Sequence, residues 1–429
     1  MRVKGASSEI GEDGQATDFV MASHPIFTRD MDVFAHELLF RQCREDECAV
    51  IDNYDDATNR IIADGFTLAS NRLGKQGLLS VNVGYDNIMS KFVLALPPAR
   101  VLLEVPGDVD ASPDFFDACK ELRGSGYRFL VDNYVEANPG SRELVRMADF
   151  LKVPVDEADG QMVARIRKSL SGWGGKLVAS RVESWEAFEG CKFLGFDYFQ
   201  GFFFSYPKDM VGRKISSHKT ARLNLMRLLA DEDVELSRVV DIISTDQALS
   251  VRLLQFVNSA AFSLGNQVDS LGRAASLVGL TTLRKWAMAA ALSDVDPSDR
   301  GMELSDRTLQ GAMFLGMLGS AHSSSAPEAE TLYLLGLLNN VDALMGMKMT
   351  DIVNDMPLKS GVKKALVRDE REPLTRYLML LDAIWRNDWS EARAILRDVG
   401  IPLPKAAQLY MQAGNSVAEM MGVLNSTTH

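Results

Sequence analysis

Along the first half of the chain, short apolar runs alternate with polar stretches of helix length. The runs "MDVFAHELLF" (31–40), "GLLSVNVG" (77–84), "RVLLEVP" (100–106), "RFLVDNY" (128–134), "FLKVPV" (150–155), "KLVASRV" (176–182) and "FDYFQGFFF" (196–204) predict strands. Between them, segments 112–123, 141–149, 158–171 and 184–193 predict helices. Strands alternating with helices imply a mostly parallel α/β sheet. A polar residue recurs near the end of each predicted strand: Glu37, Asn82, Glu104, Asp132, Lys152, Ser180 and Gln200. From Asn82 onward the steps are 22, 28, 20, 28 and 20 residues, each close to one strand–helix unit. If the strands close into a barrel, these side chains converge on one rim, where barrel enzymes place their chemistry. The span of residues 22–206 is short beside the ~250 residues usual for such a barrel, so some helices must be trimmed or missing.

From about residue 215 the rhythm becomes helical. "STDQALSVRLLQFVNSAAFS" (244–263) opens with the cap-type residues Ser244, Thr245 and Asp246. Leu249, Leu253, Phe256 and Val257 then form a stripe, and Val251 and Leu254 add apolar surface elsewhere, which predicts a helix buried on most sides. "LGRAASLVGLTTLRKWAMAAALS" (271–293) predicts two helices broken at Gly279. Segments 305–321, 329–346, 361–368, 373–386, 389–398 and 405–424 continue the pattern, with joints at "SDVDPSDRG" (293–301) and "SSSAPEAE" (323–330). The expected organisation is a flexible, small and acidic tail at 1–20, a barrel at 21–207, a linker at 208–218 and a helical domain at 219–424.

Apolar residues make up 46% of the 429, enough for real cores. A net charge of −12 argues against nucleic acid as a partner. Cys43, Cys48, Cys119 and Cys191 form no CxxC pair, which suits a reducing compartment. With no signal peptide and no apolar run of membrane-spanning length, the expectation is a cytoplasmic protein with no membrane partner. The "GWGG" segment (172–175) lacks the Lys-Ser/Thr of a phosphate loop and reads as a turn. The basic stretch "GRKISSHKTAR" (212–222) reads as a solvated linker face.

The order and spacing of several motifs resemble the EAL family, barrel phosphodiesterases of the bacterial second messenger cyclic di-GMP. "HELLFR" (36–41) resembles the EAL-x-R signature through Glu37 and Arg41, "SVNV" supplies Asn82, and "LLEVPGD" carries Glu104. "LVDNY" stands where the family has paired Asp, "FLKVP" where it has Lys-Ile-Asp, and "VASRVES" where it has Ala-Glu-Gly-Val-Glu-Thr. "FQGFFFSYP" (199–207) is close to the last-strand signature and includes Gln200. In the same way, "DIISTDQALSVRLLQFVNSAAFS" (241–263) and "QVDSLGRAASLVGLTTLRKWAM" (267–288) resemble the HDOD family of helical output domains. The implied fold is α/β plus all-α: a trimmed TIM-like (β/α) barrel of EAL type, then a helical HDOD bundle.

Metal-assisted phosphodiester hydrolysis needs several hard oxygen ligands aimed at one point. By resemblance, this chain keeps the ligands Glu37, Asn82, Glu104 and Asp132, together with Lys152 and Glu183. It loses three carboxylates, at Asn133, Pro154 and Ser180. The loops "VEANPG" (135–140) and "PGD" (106–108) also depart from the family. The expectation is no competent two-metal centre and no cofactor; magnesium or manganese would serve any activity that remained. Arg41 and Gln200 stand as the ligand-binding pair, with salt bridges within the rim as the plainer alternative for them. The chain's histidines are His24, His36, His218, His322 and His429, and none precedes an Asp, so a metal hydrolase of HD type is not expected in the second half. Asn258 and Ser259 read as helix-end hydrogen-bonding residues, and Trp286 and Met288 as core. The expected work is recognition of other signalling proteins. A weak cyclic di-GMP phosphodiesterase and a non-hydrolysing cyclic di-GMP receptor stand as alternatives, and a homodimer stays open.

Overall fold

The computed structural model describes residues 18–44, 47–50, 66, 77–109, 112–134, 141–155, 160–207, 217–231, 233–258, 268–321 and 327–425. The chain divides into two compact units, Met1–Phe204 and Ser205–His429. In the first unit nine strands form one sheet: β1 (Asp18–Thr28), β2 (Val33–Arg44), β3 (Glu47–Val50), β4 (Leu79–Asn82), β5 (Val101–Pro106), β6 (Arg128–Asp132), β7 (Phe150–Pro154), β8 (Lys176–Ser180) and β9 (Tyr198–Phe199). The order β1-β9-β8-β7-β6-β5-β4-β2 is closed by β1 pairing with β2, which gives an eight-stranded barrel with β3 hanging on β2 as a hairpin partner. From β2 to β9 the ring is parallel; β1 runs antiparallel to both of its neighbours.

Every strand expected from the sequence is present, and β1 and β3 are additional. Residues 18–20, expected within the flexible tail of 1–20, begin β1. An antiparallel hairpin needs no crossover helix, so closing the ring through β1 and β2 shortens the barrel. The helices α1 (Tyr85–Met89), α2 (Pro113–Gly124), α3 (Ser141–Met147), α4 (Gly160–Ser169) and α5 (Trp185–Phe193) cover the parallel part. The trimming shows in α1 and α3, of 5 and 7 residues. Helix α2 starts where Ser112 accepts a hydrogen bond from the Phe115 N–H with Pro113 in the first turn, and Ser184 caps α5 through the Ala187 N–H.

The two-residue period of a strand sorts the barrel into layers. Ile26, Ala35, Leu102, Leu130, Phe150 and Val178 form a cluster joined by Phe34, Leu78 and Tyr198. Two residues further along the same strands come Glu37, Ser80, Glu104, Asp132, Lys152 and Ser180, with Gln200 just past the end of β9. An apolar plug thus lies under a polar layer. The intervening residues Leu103, Val131, Leu151, Ala179 and Phe199 are buried as well. Phe188 of α5 packs between Phe199 and Phe203, at ring-centroid distances of 4.5 and 5.0 Å. Most of "FQGFFFSYP" is therefore packing, with Gln200 as its polar member.

The second unit is helical: α6 (Ser217–Leu229), α7 (Leu236–Ser244), α8 (Gln247–Val257), α9 (Leu271–Ser293), α10 (Asp299–Ala321), α11 (Ala329–Leu338), α12 (Val341–Met345), α13 (Met349–Asn354), α14 (Ser360–Leu366), α15 (Thr375–Trp385), α16 (Trp389–Asp398) and α17 (Leu403–Asn425). The break expected in α9 is real: Gly279 has φ 78° and ψ 164° inside the helix, a conformation that an L side chain resists. Helix α8 differs from expectation. Leu249, Leu253 and Val257 are buried, but Val251 is 44% exposed, so one face is covered rather than most sides. Helix α10 starts at Asp299, within the stretch expected as a joint. The expected helix 329–346 splits at Asn339 and Asn340, where the Asn340 amide donates to the Thr308 hydroxyl at 2.9 Å. Asn258 binds its own helix end and the next segment: its amide donates to the Leu254 and Val268 carbonyls, and its oxygen accepts from the Val268 N–H. Ser259 lies outside the described residues. Trp286 and Met288 are core, each 2% exposed. Arg222 is not part of a solvated face, because it pairs with Asp246 at 2.6 Å and Asp294 at 3.1 Å. Residues 212–216 of that basic stretch lie outside the description, as do His322, His429 and the 135–140 loop. Among the described residues no helix is long and apolar enough to cross a membrane.

Candidate functional site

Strand register assembles the polar layer. Glu37 lies opposite His24 of β1 and Ser80 of β4, Asn82 opposite Glu104, and Pro154 opposite Ser180. Lys152 sits at the centre. Its ammonium donates to Glu37 Oε2 at 2.8 Å and Glu104 Oε1 at 2.6 Å, and lies 3.7 Å from Asp132 Oδ1. Glu37 also accepts from Gln200 Nε2 at 2.8 Å and Asn82 Nδ2 at 3.1 Å. Glu104 takes a further bond from the Ser80 hydroxyl at 2.6 Å. Glu37, Glu104, Lys152, Ser80, Ser180 and Gln200 are all buried.

Burial penalises each of these charges, and their partners decide the outcome. Burial works to raise the Glu37 carboxyl, but the charge and hydrogen bond of Lys152, with His24 and Gln200 adding to them, hold it down at about 2. Burial and the Glu37 charge push Glu104 up to about 8, with Lys152 opposing. Asp132 is also raised, by burial foremost and by Glu37, against Lys152, the Asn133 N–H and Arg181. Lys152 loses ground to burial, yet the three carboxylates keep it well above the usual lysine range. The site is a carboxylate cluster with a proton to share and a resident ammonium.

The three positions without a carboxylate have other tasks. Asn133 is exposed with φ 46°, a left-handed conformation that Asn tolerates better than most residues. Its amide donates to Asp132 Oδ2 at 3.1 Å. Pro154 ends β7, and Ser180 ends β8 as a buried hydroxyl. In the "PGD" turn the Gly107 N–H donates to the Asp132 carbonyl at 2.8 Å; a Cβ there would meet that oxygen at 2.7 Å, so the close approach requires glycine.

The structure therefore brings together Glu37, Asn82, Glu104, Asp132, Lys152, Ser180 and Gln200. Glu183 lies apart, exposed in the turn after β8. Arg41 belongs to β2, and its side chain is outside the described residues. Sequence reasoning missed Ser80, although it precedes Asn82 by two residues and so shares its face of the strand. It also missed His24, which lies on the unforeseen β1, and Arg181, an exposed non-glycine residue with φ 57° right after Ser180.

Residues 216–370 match the HDOD domain family. Over its length the chain is similar to the uncharacterized protein YuxH of Bacillus subtilis (strain 168), with 25% identity over 401 residues covering 92% of this chain and 96% of that protein. It is also similar to the cyclic di-GMP phosphodiesterase CdgJ of Vibrio cholerae, with 27% identity over 407 residues covering 94% and 93%. Among solved structures, an EAL domain protein from Listeria monocytogenes EGD-e matches 43% of this chain and 87% of its own at 18% identity, TM-score 0.35. The calcium and cyclic di-GMP complex of Klebsiella pneumoniae BlrP1 matches 44% and 55% at 23% identity, TM-score 0.37.

Proposed function

We propose that the chain is a two-domain signalling protein of the cyclic di-GMP system. Its EAL-like barrel, built from β1 to β9, is catalytically impaired and acts by recognition, and an HDOD-like domain that includes α6 presents a surface to another signalling protein. The observation that carries this reading is the Lys152 ammonium held among Glu37, Glu104 and Asp132, on a rim where Asn133, Pro154 and Ser180 supply no charge. The length of the likeness to CdgJ supports the link to cyclic di-GMP.

Charge balance tests the implied metals. Once Glu104 gives up its proton, one ammonium against three carboxylates leaves an excess of negative charge, which a single divalent cation would neutralise. A second cation would leave a buried site positive, and burying unpaired charge is costly. A metal pair does not fit this donor set. The same balance favours one second reading, a weak phosphodiesterase with a single ion. Glu37, Asn82, Glu104 and Asp132 would then hold magnesium or manganese, which when bound acidifies water and polarises a phosphodiester. Lys152 would have to leave its present bonds to admit the ion. Gln200 is likewise engaged with Glu37, so a nucleotide reaches it only by exchanging that bond, which disfavours a plain receptor built on Arg41 and Gln200.

Incubating the purified full chain with cyclic di-GMP and magnesium or manganese, alongside calorimetry, separates the readings. Neither turnover nor binding is expected. Turnover abolished by Glu37→Ala or Asp132→Ala would replace this proposal with the single-metal enzyme. Binding without turnover would make the barrel a receptor. Turnover surviving both substitutions would reveal a contaminating enzyme or another site.

A further inference from the structure

The helical unit contains a cavity of about 590 Å³ whose walls come from α8, α9, α10, α11 and α17. That volume lies within the ~300–1,000 Å³ typical of small-molecule sites. The residues that make room on one side are small: Gly316, Ser320 and Ala321 of α10 and Ala329 of α11. Glycine at 316 lets α11 come close, since a Cβ there would meet the Tyr333 Cβ at 3.2 Å. Much of the rest of the lining is apolar and deformable. Phe256 stacks on Trp286 at 5.8 Å between centroids, and Met313, Met317, Leu409 and Met420 complete it. Unbranched thioether side chains adapt to flexible aliphatic partners.

The charges in the lining have one sign. Lys285 and Lys405 line the cavity, and among the described lining residues none is acidic. Lys285 is only loosely engaged: Glu330 lies 3.8 Å away outside the lining, and the Tyr333 ring centroid lies 5.2 Å from its ammonium. The Tyr333 hydroxyl donates to the Lys285 carbonyl at 3.3 Å, which ties α11 to the α9 turn bearing that lysine. Lys405 is exposed and donates to Gln408 of its own helix at a long 3.4 Å. Both ammonium groups can therefore turn to an incoming anion at little cost.

We propose that this cavity binds a long-chain aliphatic monocarboxylate, a fatty acid in chemical class, with its chain against the Phe256–Trp286–methionine wall and its carboxylate between Lys285 and Lys405. This proposal does not rest on the reading given for the barrel. A fatty-acid ligand would make the helical domain a sensor in its own right.

The test is a titration of the full chain with cis-parinaric acid, whose emission rises in apolar surroundings, followed by displacement with palmitate or with uncharged hexadecanol. Saturable binding at one site per chain is expected, displaced by both. The double variant Lys285→Gln/Lys405→Gln should weaken palmitate by about tenfold, the scale of one lost charge-assisted hydrogen bond, and leave hexadecanol unchanged. Ser320→Trp should block both ligands. Ser320 is exposed, so this variant is expected to fold, and its circular dichroism checks that. Absence of saturable binding, or affinities that ignore both variants, would overturn the proposal.

Discussion

Lys152 places a nearly inaccessible ammonium among three carboxylates, and its removal leaves them facing one another. Breaking a buried ion pair by deleting one partner typically costs about 3–5 kcal/mol. Lys152→Met is expected to destabilise the barrel by about that much in urea unfolding at neutral pH, and by less in acid, where the carboxylates take up protons. Ser80→Ala removes a hydroxyl bonded to a fully buried carboxylate and should cost about 1–3 kcal/mol by the same measurement. Much of this site was legible in the sequence because its residues recur at strand ends in phase. The role of Lys152 was not, because spacing along a chain cannot say which charge ends up central. Nor could it say that Asn133 serves a left-handed turn as much as it lacks a charge.

At the scale of elements, the parallel strands were legible because both faces of them are buried and each reads as an apolar run. Strand β1 was not. It carries Pro25 in its interior, a residue that argues against a strand, and it follows a polar, acidic segment. Its antiparallel pairing with β2 tolerates both features and supplies the closure that the expected strands lacked. The Gly279 break in α9 was legible because a glycine interrupts a long helical pattern. Nothing lies within 4 Å of a Cβ built on Gly279 or on Gly272 of the same helix, so the two positions differ in backbone conformation and not in space. Gly279→Ala is expected to cost about 1–3 kcal/mol, because φ 78° with ψ 164° is a conformation essentially reserved for glycine. Gly272→Ala should be neutral or stabilising by up to about 1 kcal/mol. Thermal melts of the two variants, run side by side, check the contrast.

Across the whole molecule, the two compact units carry acids with different reporting windows. In the helical unit, burial pushes the Asp342 carboxyl from 3.8 to about 6, partly opposed by the Ala343 N–H and Arg368. In the barrel, burial and the Glu37 charge push Glu104 from 4.5 to about 8. Both values are raised in the folded state, so between the unfolded and folded pKa the native protein binds more protons than the unfolded chain. Stability therefore falls as pH rises through each window. Glu37, held near 2, acts in the opposite sense, and its contribution is lost only as pH falls below about 4.5. Below pH 6 both units should respond to pH; from about pH 6 to 8 the barrel alone should continue to weaken, on the order of a few kcal/mol for a fully buried carboxylate. Calorimetric scans of the full chain across that range should show one transition moving down with pH while the other holds. Glu104→Gln keeps the shape without the titration, so it should flatten the moving transition and identify it as the barrel's. If both transitions move together, or if the slope survives Glu104→Gln, the shared proton does not reside on Glu104.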